Sequence, residues 1–237
     1  MDLKEEPLGQ CSYMWDMNEE PVDNIPYSSF QSFYMHPLME EIPKIFHPYV
    51  IHIEDVVGDG NCGFRAIAAC LGYGEDQWLY VKEQLLHELL DAYIGNETVL
   101  TSGINEVNLS LLFSQSPAPR QHWMVMPETG ILIANKFGVV LNCLSNEGCI
   151  TCFSIWKGPE HFQHHKTITI AHVYGNHYVM VQLEREYPMP RISAYWIRYR
   201  APSAVGWQHM YTQRLQLYEQ LNPCDRDNAF IHIEESC

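Results

Sequence analysis

The sequence predicts an α+β domain in which helices come first and a small, mostly antiparallel sheet, packed between helices, comes later. Apolar residues recur at helical spacing in the ordered part of the chain up to residue 137. From residue 139 onward the apolar runs are short and typical of strands. Polar segments at residues 145–148 and 174–176 separate pairs of these runs, as hairpin loops do.

Three regions are predicted along the chain. Residues 1–45 are acidic and interrupted by prolines, and their aromatic residues follow neither helical nor strand spacing, so we expect a largely disordered arm. Residues 46–200 form the predicted folded domain. Residues 201–237 are expected to form a C-terminal helix, from Trp207 to Leu221, and a polar tail.

The first half of the domain is predicted to be mainly helical. Residues 49–56 alternate apolar and polar side chains and predict an extended segment. Four helices are expected after it: one from Cys62 to about Gly72, one capped by Glu75 or Asp76, a weaker one over residues 106–113, and one from Pro127 to a stop at Gly138.

The second half is predicted to contain the strands. Four runs have the required composition and length: residues 139–144, 149–155, 168–173 and 178–183. The first two and the last two are expected to pair as antiparallel hairpins, because only short loops join them.

Composition limits the classes of partner. The 237 residues carry a formal net charge of −15, which repels nucleic acid and anionic membranes, so neither is expected as a partner. No apolar run reaches the roughly 18 residues that a membrane span needs, and the first residues lack the features of a secretory signal. The 8 cysteines are too sparse for a disulfide scaffold, which favours reduced thiols in the cytosol or the nucleus.

A cysteine lies at the start of the first predicted helix, in the segment of residues 56–66. Gly58 and Gly60 precede Cys62 and allow a tight loop whose N–H groups point at a developing oxyanion. Free N–H groups at a helix start carry positive partial charge and favour a thiolate. Cys62 is therefore the candidate nucleophile.

A cysteine nucleophile needs a general base within hydrogen-bond reach, and the chain has 12 histidines. His177 is favoured because it follows a tight turn and opens a predicted strand, where a side chain is held rigidly and remains accessible.

These motifs resemble the ovarian-tumour (OTU) family of cysteine deubiquitinases. The resemblance rests on Asp59-Gly60-Asn61-Cys62, on Arg65-Ala66 and on the downstream Gly175-Asn176-His177-Tyr178, and it extends over residues 49–183. Residues 123–144 and 188–190 are similar to transposon-associated and plant or fungal OTU-like proteins. The resemblance implies the papain-like OTU fold.

The resemblance also implies roles for residues at matching positions. Cys62 would be the nucleophile, His177 its base, and Asp59 the acidic residue of the active site. The loop from Asp59 to Cys62, which includes Gly60 and Asn61, would supply oxyanion N–H groups, and Arg65 would support that loop. The implied reaction is thiolate attack on a glycine-terminated isopeptide carbonyl, giving an acyl-enzyme that water hydrolyses. The implied partner is ubiquitin, a ubiquitin-like modifier or a conjugated protein, and no cofactor is implied.

One position departs from the family pattern. The family usually has Asn or Asp two residues after the histidine to orient the imidazole, and this chain has Val179, which accepts no hydrogen bond. Four other residues are available for that role: Asn176, Asp55, Glu54 and Asp59. Val179 leaves two outcomes open, an enzyme with a substituted third member, which we favour, or a weakened or inactive relative.

Three competing interpretations follow from other features. A zinc site is suggested by Cys149, Cys152, His161, His164 and His165, but cysteines three apart in a strand face opposite ways, so no metal is predicted. A non-catalytic ubiquitin-binding or scaffold module is suggested by Val179 and the acidic arm. A papain-like peptidase acting on ordinary peptide bonds fits the loop motif less well.

Overall fold

A mixed sheet lies at the centre of the fold in a computed structural model that describes residues 36–93, 104–162, 165–184 and 186–223. Its six strands within these ranges are β1 (Val50–Glu54), β2 (Val139–Leu144), β3 (Ile150–Cys152), β4 (Lys166–Val173), β5 (His177–Leu183) and β6 (Arg191–Ile192). Their order across the sheet is β1-β5-β4-β2-β3-β6. The pairs β1–β5, β4–β5 and β2–β3 are antiparallel, and β2–β4 and β3–β6 are parallel. The predicted α+β class is therefore confirmed.

The α-helices of the described ranges are α1 (Cys62–Leu71), α2 (Trp78–Tyr93), α3 (Ile104–Leu112), α4 (Glu128–Phe137), α5 (Ala194–Tyr199), α6 (Gly206–Met210) and α7 (Thr212–Leu221). The four helices of the first half, α1 to α4, agree with the prediction. Gly72 and Gly138 end α1 and α4 with φ values of +84° and +62°. Left-handed backbone of this kind is easily adopted only by glycine, which is why both stops were readable from sequence.

The sheet separates two apolar clusters. Helices α1 to α4 pack on one face, where they bury side chains such as Phe64, Ile67 and Ile131. The other face buries Val179 and Val181 of β5 together with Tyr218 of α7. Because successive strand residues point to opposite faces, β5 contributes to both clusters, and its Tyr178 and Met180 pack against the helical side. This strand is thus held firmly at the centre of the domain.

Ordered structure begins earlier than predicted. Two 3-10 turns, Pro37–Glu41 and Lys44–Tyr49, precede β1. They bury Leu38, Ile42 and Phe46 in the second cluster, at 7%, 1% and 0% exposure. Residues 36–45 therefore belong to the folded domain and not to the arm, because three apolar side chains spaced four apart cover the sheet. The rest of the predicted arm, residues 1–35, lies outside the described residues.

Several elements of the second half differ from prediction. The predicted strand over residues 149–155 is shortened to β3, and the predicted C-terminal helix is divided into α6 and α7 at Tyr211. Strand β6 and helix α5 were not predicted, because two and six residues are too few for a periodic signal. The parallel pairing of β2 with β4 depends on tertiary packing, which sequence periodicity does not encode. The tail after residue 223 lies outside the described part of the chain.

Candidate active site

Cys62 is placed by the packing of the helix that it starts. Helix α1 buries Phe64, Ala66 and Ile67 completely, so its first turn cannot shift against the sheet. Cys62 is itself 6% exposed and lines a cleft of about 390 Å³. The cleft is also lined by Asp55, Val56, Gly58, Gly60, Trp123, Asn176 and His177. The nucleophile predicted from sequence therefore lies at the base of an open cleft.

The predicted base lies beside it. His177 is the first residue of β5, and its side chain is hydrogen-bonded to Cys62. The ring atom Nε2 lies 2.7 Å from Oδ1 of Asp55, which follows the last residue of β1. Since Nε2 is occupied by this carboxylate, Nδ1 is the ring atom left to face the thiol. The three side chains form a continuous Cys–His–Asp chain.

Strand pairing brings Asp55 and His177 together. Strands β1 and β5 are antiparallel neighbours, and Glu54 lies opposite Met180. The end of β1 therefore meets the start of β5 at one edge of the sheet. Of the four orienting residues that the sequence offered, Asp55 holds the ring. Asn176 lies in the turn before the strand and donates its N–H to the carbonyl of Val173.

The two partners of His177 stabilise its protonated ring. The hydrogen bond with Cys62 raises the pKa of His177, burial lowers it, and the hydrogen bond with Asp55 raises it again, to about 9 in sum. A histidine that stays protonated beside a nucleophile can donate its proton to a leaving group.

Asp59 has a different position from the one predicted. Its carboxylate accepts hydrogen bonds from the Asn61 N–H (2.9 Å), the Ser116 hydroxyl (2.6 Å) and the Arg65 guanidinium (2.7 Å). Among the described residues it contacts neither Cys62 nor His177. Its oxygens hold the loop, and the catalytic role that the resemblance implies for Asp59 stays a prediction.

Electrostatics favour the charged form of this buried carboxylate. Burial raises the pKa of Asp59, but the hydrogen bonds from Arg65, Ser116 and the Asn61 N–H outweigh it and hold the pKa well below its usual value. The Arg65 and Asp59 side chains are only 9% and 8% exposed. Arg65 therefore supports the loop, as the motif implied.

Gly60 occupies a position where a side chain has no room. Its φ is +80°, and a Cβ placed on it would lie 2.2 Å from the carbonyl oxygen of Ala118 and 2.6 Å from Nε1 of Trp123. The Ala118 N–H in turn donates to the Asp59 carbonyl at 2.7 Å. The loop before Cys62 is thus pressed against residues 115–123, and only glycine permits this approach.

Only some of the backbone N–H groups in the loop before α1 are available to bind an oxyanion. The prediction offered the N–H groups of residues 59–62, but the Asn61 N–H is already bonded to Asp59 and that of Asp59 to the Val57 carbonyl. Gly60 and Cys62 both line the cleft. Cys62 starts α1, and the first N–H groups of a helix have no partner within it. These two N–H groups are the candidate oxyanion donors.

Sequence reasoning missed three supporting residues. Lys82, Ser116 and Trp123 come from α2 and from the segment after α3, and all three contact residues of the loop or the cleft. Ser116 carried no signal, and Trp123 was noted only as the first residue of the segment 123–144 that resembles transposon-associated OTU-like proteins. Lys82 did, because it occupies a position on the apolar stripe of α2, four residues after Trp78 and three before Leu85.

The zinc hypothesis finds no supporting geometry. Cys149 and Cys152 lie in the clusters on opposite faces of the sheet, because residues three apart in extended chain diverge. His165 is hydrogen-bonded to the backbone carbonyls of Pro159 and Phe162, and His164 lies outside the described residues. Within the part of the chain that is described, no group of three or more metal-ligating side chains occurs.

The fold and the site together define a class. A cysteine at a helix start, a histidine on an adjacent strand and a carboxylate behind the ring are the arrangement of papain-like cysteine hydrolases.

No helix in the described ranges is long and apolar enough to cross a membrane.

Solved structures of OTU domains are similar to this chain. The OTU domain of OTUD1 is 15% identical over 55% of this chain and 85% of its own length, with a TM-score of 0.40. The Hazara virus OTU, solved bound to ubiquitin, is 16% identical over 58% of this chain and 84% of its own length, with a TM-score of 0.41. The OTU domain protease from Farallon virus is 18% identical over 59% of this chain and 87% of its own length, with a TM-score of 0.38.

At these identities the similarity concerns the fold alone. No protein-family model matches the chain, and no curated protein sequence matches it. The roles of individual residues therefore rest on the geometry of this site.

Proposed function

We propose that this protein is a cysteine-dependent deubiquitinase that hydrolyses isopeptide bonds at the C-terminus of ubiquitin or a ubiquitin-like modifier. The observation that carries the proposal is the chain of contacts from Cys62 to His177 to Asp55 at an open cleft. The choice of modifier as substrate is supported by the motif resemblance around Cys62 and His177.

The proposed reaction follows the geometry of the site. The Cys62 thiolate attacks the carbonyl carbon of the last glycine, and the N–H groups of Gly60 and Cys62 bind the oxyanion. The His177 imidazolium gives its proton to the leaving lysine amine, and a thioester remains on Cys62. Water, deprotonated by His177, then attacks the thioester and releases the modifier with a free carboxylate. Asp55 keeps the ring oriented during both steps.

The cleft is compatible with a small residue at the scissile bond. Its walls near Cys62 include Gly58 and Gly60, and the indole of Trp123 lies against Gly60. Walls formed by glycine leave space beside the reacting carbonyl for an extended, glycine-terminated tail. The preference for a modifier over a general peptide substrate rests on the motif resemblance around Cys62 and His177.

The proposal is tested with ubiquitin carrying an electrophile at its C-terminus. We expect the purified protein to form a covalent adduct, detected as a mass shift of one ubiquitin, and we expect Cys62→Ala to form none. Cys70→Ala is the matched control, since Cys70 is buried, donates to the Thr169 carbonyl and lies at the other end of α1. It should react as the wild type does.

Two other outcomes have defined meanings. Ubiquitin binding without covalent capture would support the inactive scaffold module and overturn the proposed hydrolase. Capture by probes built on other glycine-terminated modifiers, but not on ubiquitin, would keep the chemistry and change the modifier.

We place the reaction in the cytosol or nucleus, with ubiquitin-conjugated proteins as partners, on the basis of the charge and cysteine usage of the chain.

A further inference from the structure

A lysine is buried directly behind the candidate oxyanion loop. Lys82 of α2 is 2% exposed, and its Nζ lies 2.8 Å from Oδ1 of Asn61 and 2.9 Å from the carbonyl oxygen of Phe113. The ammonium also lies 4.5 Å from the ring centroid of Phe64 and 5.2 Å from that of Trp78. It is therefore held by two acceptors and two aromatic faces.

The charge at this position requires an explanation. Burying an ammonium costs several kcal/mol, and burial lowers the pKa of Lys82 to about 8, with the charge of Asp59 acting in the opposite direction. A methionine of similar length would fill the same space without this cost. Space filling alone therefore does not account for a lysine here, and its two hydrogen bonds are the distinctive feature.

The acceptor on Asn61 connects Lys82 to the reacting centre. Asn61 is fully buried and directly precedes Cys62. Its N–H donates to Asp59 at 2.9 Å, its Nδ2 to the Gln115 carbonyl at 3.1 Å, and its own carbonyl accepts from the Arg65 N–H at 3.0 Å. Lys82 supplies the bond to the remaining polar atom, Oδ1. Removing that bond leaves the Asn61 side chain bonded to Gln115 but no longer to α2.

We propose that Lys82 is a positioning residue, which acts through Asn61 to hold the N–H groups of Gly60 and Cys62 in place for the oxyanion. The chemical part of this inference rests on the proposed hydrolase function. The structural part, a loop tied to α2 by one buried ammonium, stands on the contacts alone. A displacement of about 1 Å at such a site costs on the order of 100-fold in rate, so the anchor has a measurable effect.

The structural part is tested by amide hydrogen exchange of the Lys82→Met variant. We expect faster exchange in peptides covering residues 57–65 and unchanged exchange in the strands. Lys166→Met is the matched control, because Lys166 also donates to a backbone carbonyl of α1, that of Cys70, at the opposite end of the helix. Unchanged exchange of residues 57–65 in Lys82→Met overturns the inference, and this measurement requires no substrate.

The chemical part is tested by the steady-state kinetics of a ubiquitin substrate with a fluorogenic leaving group. We expect Lys82→Met to lower kcat about 10- to 100-fold with little change in KM, Lys82→Arg to recover part of the loss, and Lys166→Met to match wild type. If Lys82 acts through Asn61, the losses of Lys82→Met and Asn61→Ser are not additive in the double variant.

The two proposals fail in different ways. A wild type that does not turn over any modifier substrate contradicts the proposed function, while the exchange experiment still decides the role of Lys82. A wild type that is active, with Lys82→Met equally active, contradicts only the role of Lys82. Should Lys82→Met not fold, Asn61→Ser removes the same contact from the other side, and its exchange and kcat answer the same question.

Discussion

The carboxylate that orients His177 comes from Asp55 at the end of the neighbouring strand, and not from the position two residues after the histidine. That position is Val179, which is fully buried in the cluster under β5. A polar side chain there would have to be buried in an apolar cluster, which costs free energy. Valine at position 179 is consistent with Asp55 as the partner of His177, because the ring needs only one acceptor at Nε2.

Removal of the Asp55 carboxylate should change both rate and pH dependence. Because His177 must be protonated, we expect kcat/KM of the wild type to fall as pH rises through about 9, the raised pKa of the ring. The hydrogen bond with Asp55 raises that pKa, so Asp55→Asn should move the alkaline limb to lower pH. We expect Asp55→Ala to lose up to about 10⁴-fold in kcat, as loss of an orienting residue does elsewhere.

The control for this pair is Glu54→Gln, which removes the adjacent carboxylate that does not contact the ring. Its pH profile of kcat/KM should match the wild type. An alkaline limb that is unmoved in Asp55→Asn would show that the carboxylate does not interact with the reacting imidazole.

Restoring the usual family residue at Val179 should not help. We expect Val179→Asn to lower the free energy of unfolding by about 1–3 kcal/mol, the cost of burying an amide without partners, and to leave kcat no higher than wild type. Urea denaturation measures the free energy of unfolding, and steady-state kinetics measure kcat. Val179→Ala serves as the apolar control, and a kcat for Val179→Asn above both wild type and Val179→Ala would contradict the role given to Asp55.

The loop before α1 functions as one element, because a single carboxylate connects its parts. Asp59 holds the Asn61 N–H, Arg65 of α1 and Ser116 of the segment after α3. A loop fixed from three directions keeps its N–H groups aimed without reorganisation during the reaction. The acidic residue of the motif is therefore explained by preorganisation of the loop and not by contact with the reacting atoms.

Loss of this charge should destabilise the protein in a pH-dependent way. Breaking a buried ion pair leaves Arg65 without its buried partner, so we expect Asp59→Asn to lower the free energy of unfolding by about 3 kcal/mol at neutral pH. The folded-state pKa of Asp59 is depressed, so its stabilisation is present above the ordinary aspartate pKa and is lost as pH falls below it. The difference between wild type and variant should therefore narrow below about pH 4.

The matched control is Asp76→Asn. Asp76 also approaches Arg65, at 3.7 Å, but its side chain is 95% exposed, and exposed ion pairs contribute little. Its urea denaturation midpoint should equal that of the wild type. Equal losses in the two variants would contradict the distinction between a buried and a solvated partner of Arg65.

In the compact unit that the structure describes, the sheet is covered on both faces, and the segment before β1 is part of the cover. The compact unit begins at His36. Leu38 and Ile42 pack on the face opposite to α1, beside Val179 and Val181. Glu41 also accepts a hydrogen bond from the Tyr174 N–H in the turn that precedes His177, at 3.1 Å. This segment therefore contacts both the core and the turn that carries the base.

A chain that starts at residue 46 should be less stable than one that starts at residue 36. The shorter chain exposes apolar surface that Leu38 and Ile42 cover, and burial of a side chain of this kind is worth about 1.5–3 kcal/mol. We expect its free energy of unfolding to be lower by at least about 3 kcal/mol, measured by urea denaturation. Equal midpoints for the two chains would place residues 36–45 outside the folded domain, as composition alone suggested.

Local patterns in the sequence were sufficient to place Cys62 at the start of α1, to end α1 and α4 at glycines, and to identify most strands. These features depend on neighbours a few residues apart: free N–H groups at a helix start, left-handed glycine, and alternation along a strand. His177 was also accessible in this way, because a turn followed by a strand is a local signal.

The partners of these residues were decided by tertiary structure. Asp55 and His177 are 122 positions apart, and the antiparallel register of β1 on β5 brings them together. Lys82 and Ser116 reach the Cys62 loop because α2 and the segment after α3 pack behind it. Such contacts depend on how distant elements are aligned, which short-range periodicity does not contain. The sequence thus identified the two candidate reacting residues, and the packing of the sheet and helices decided which groups contact them.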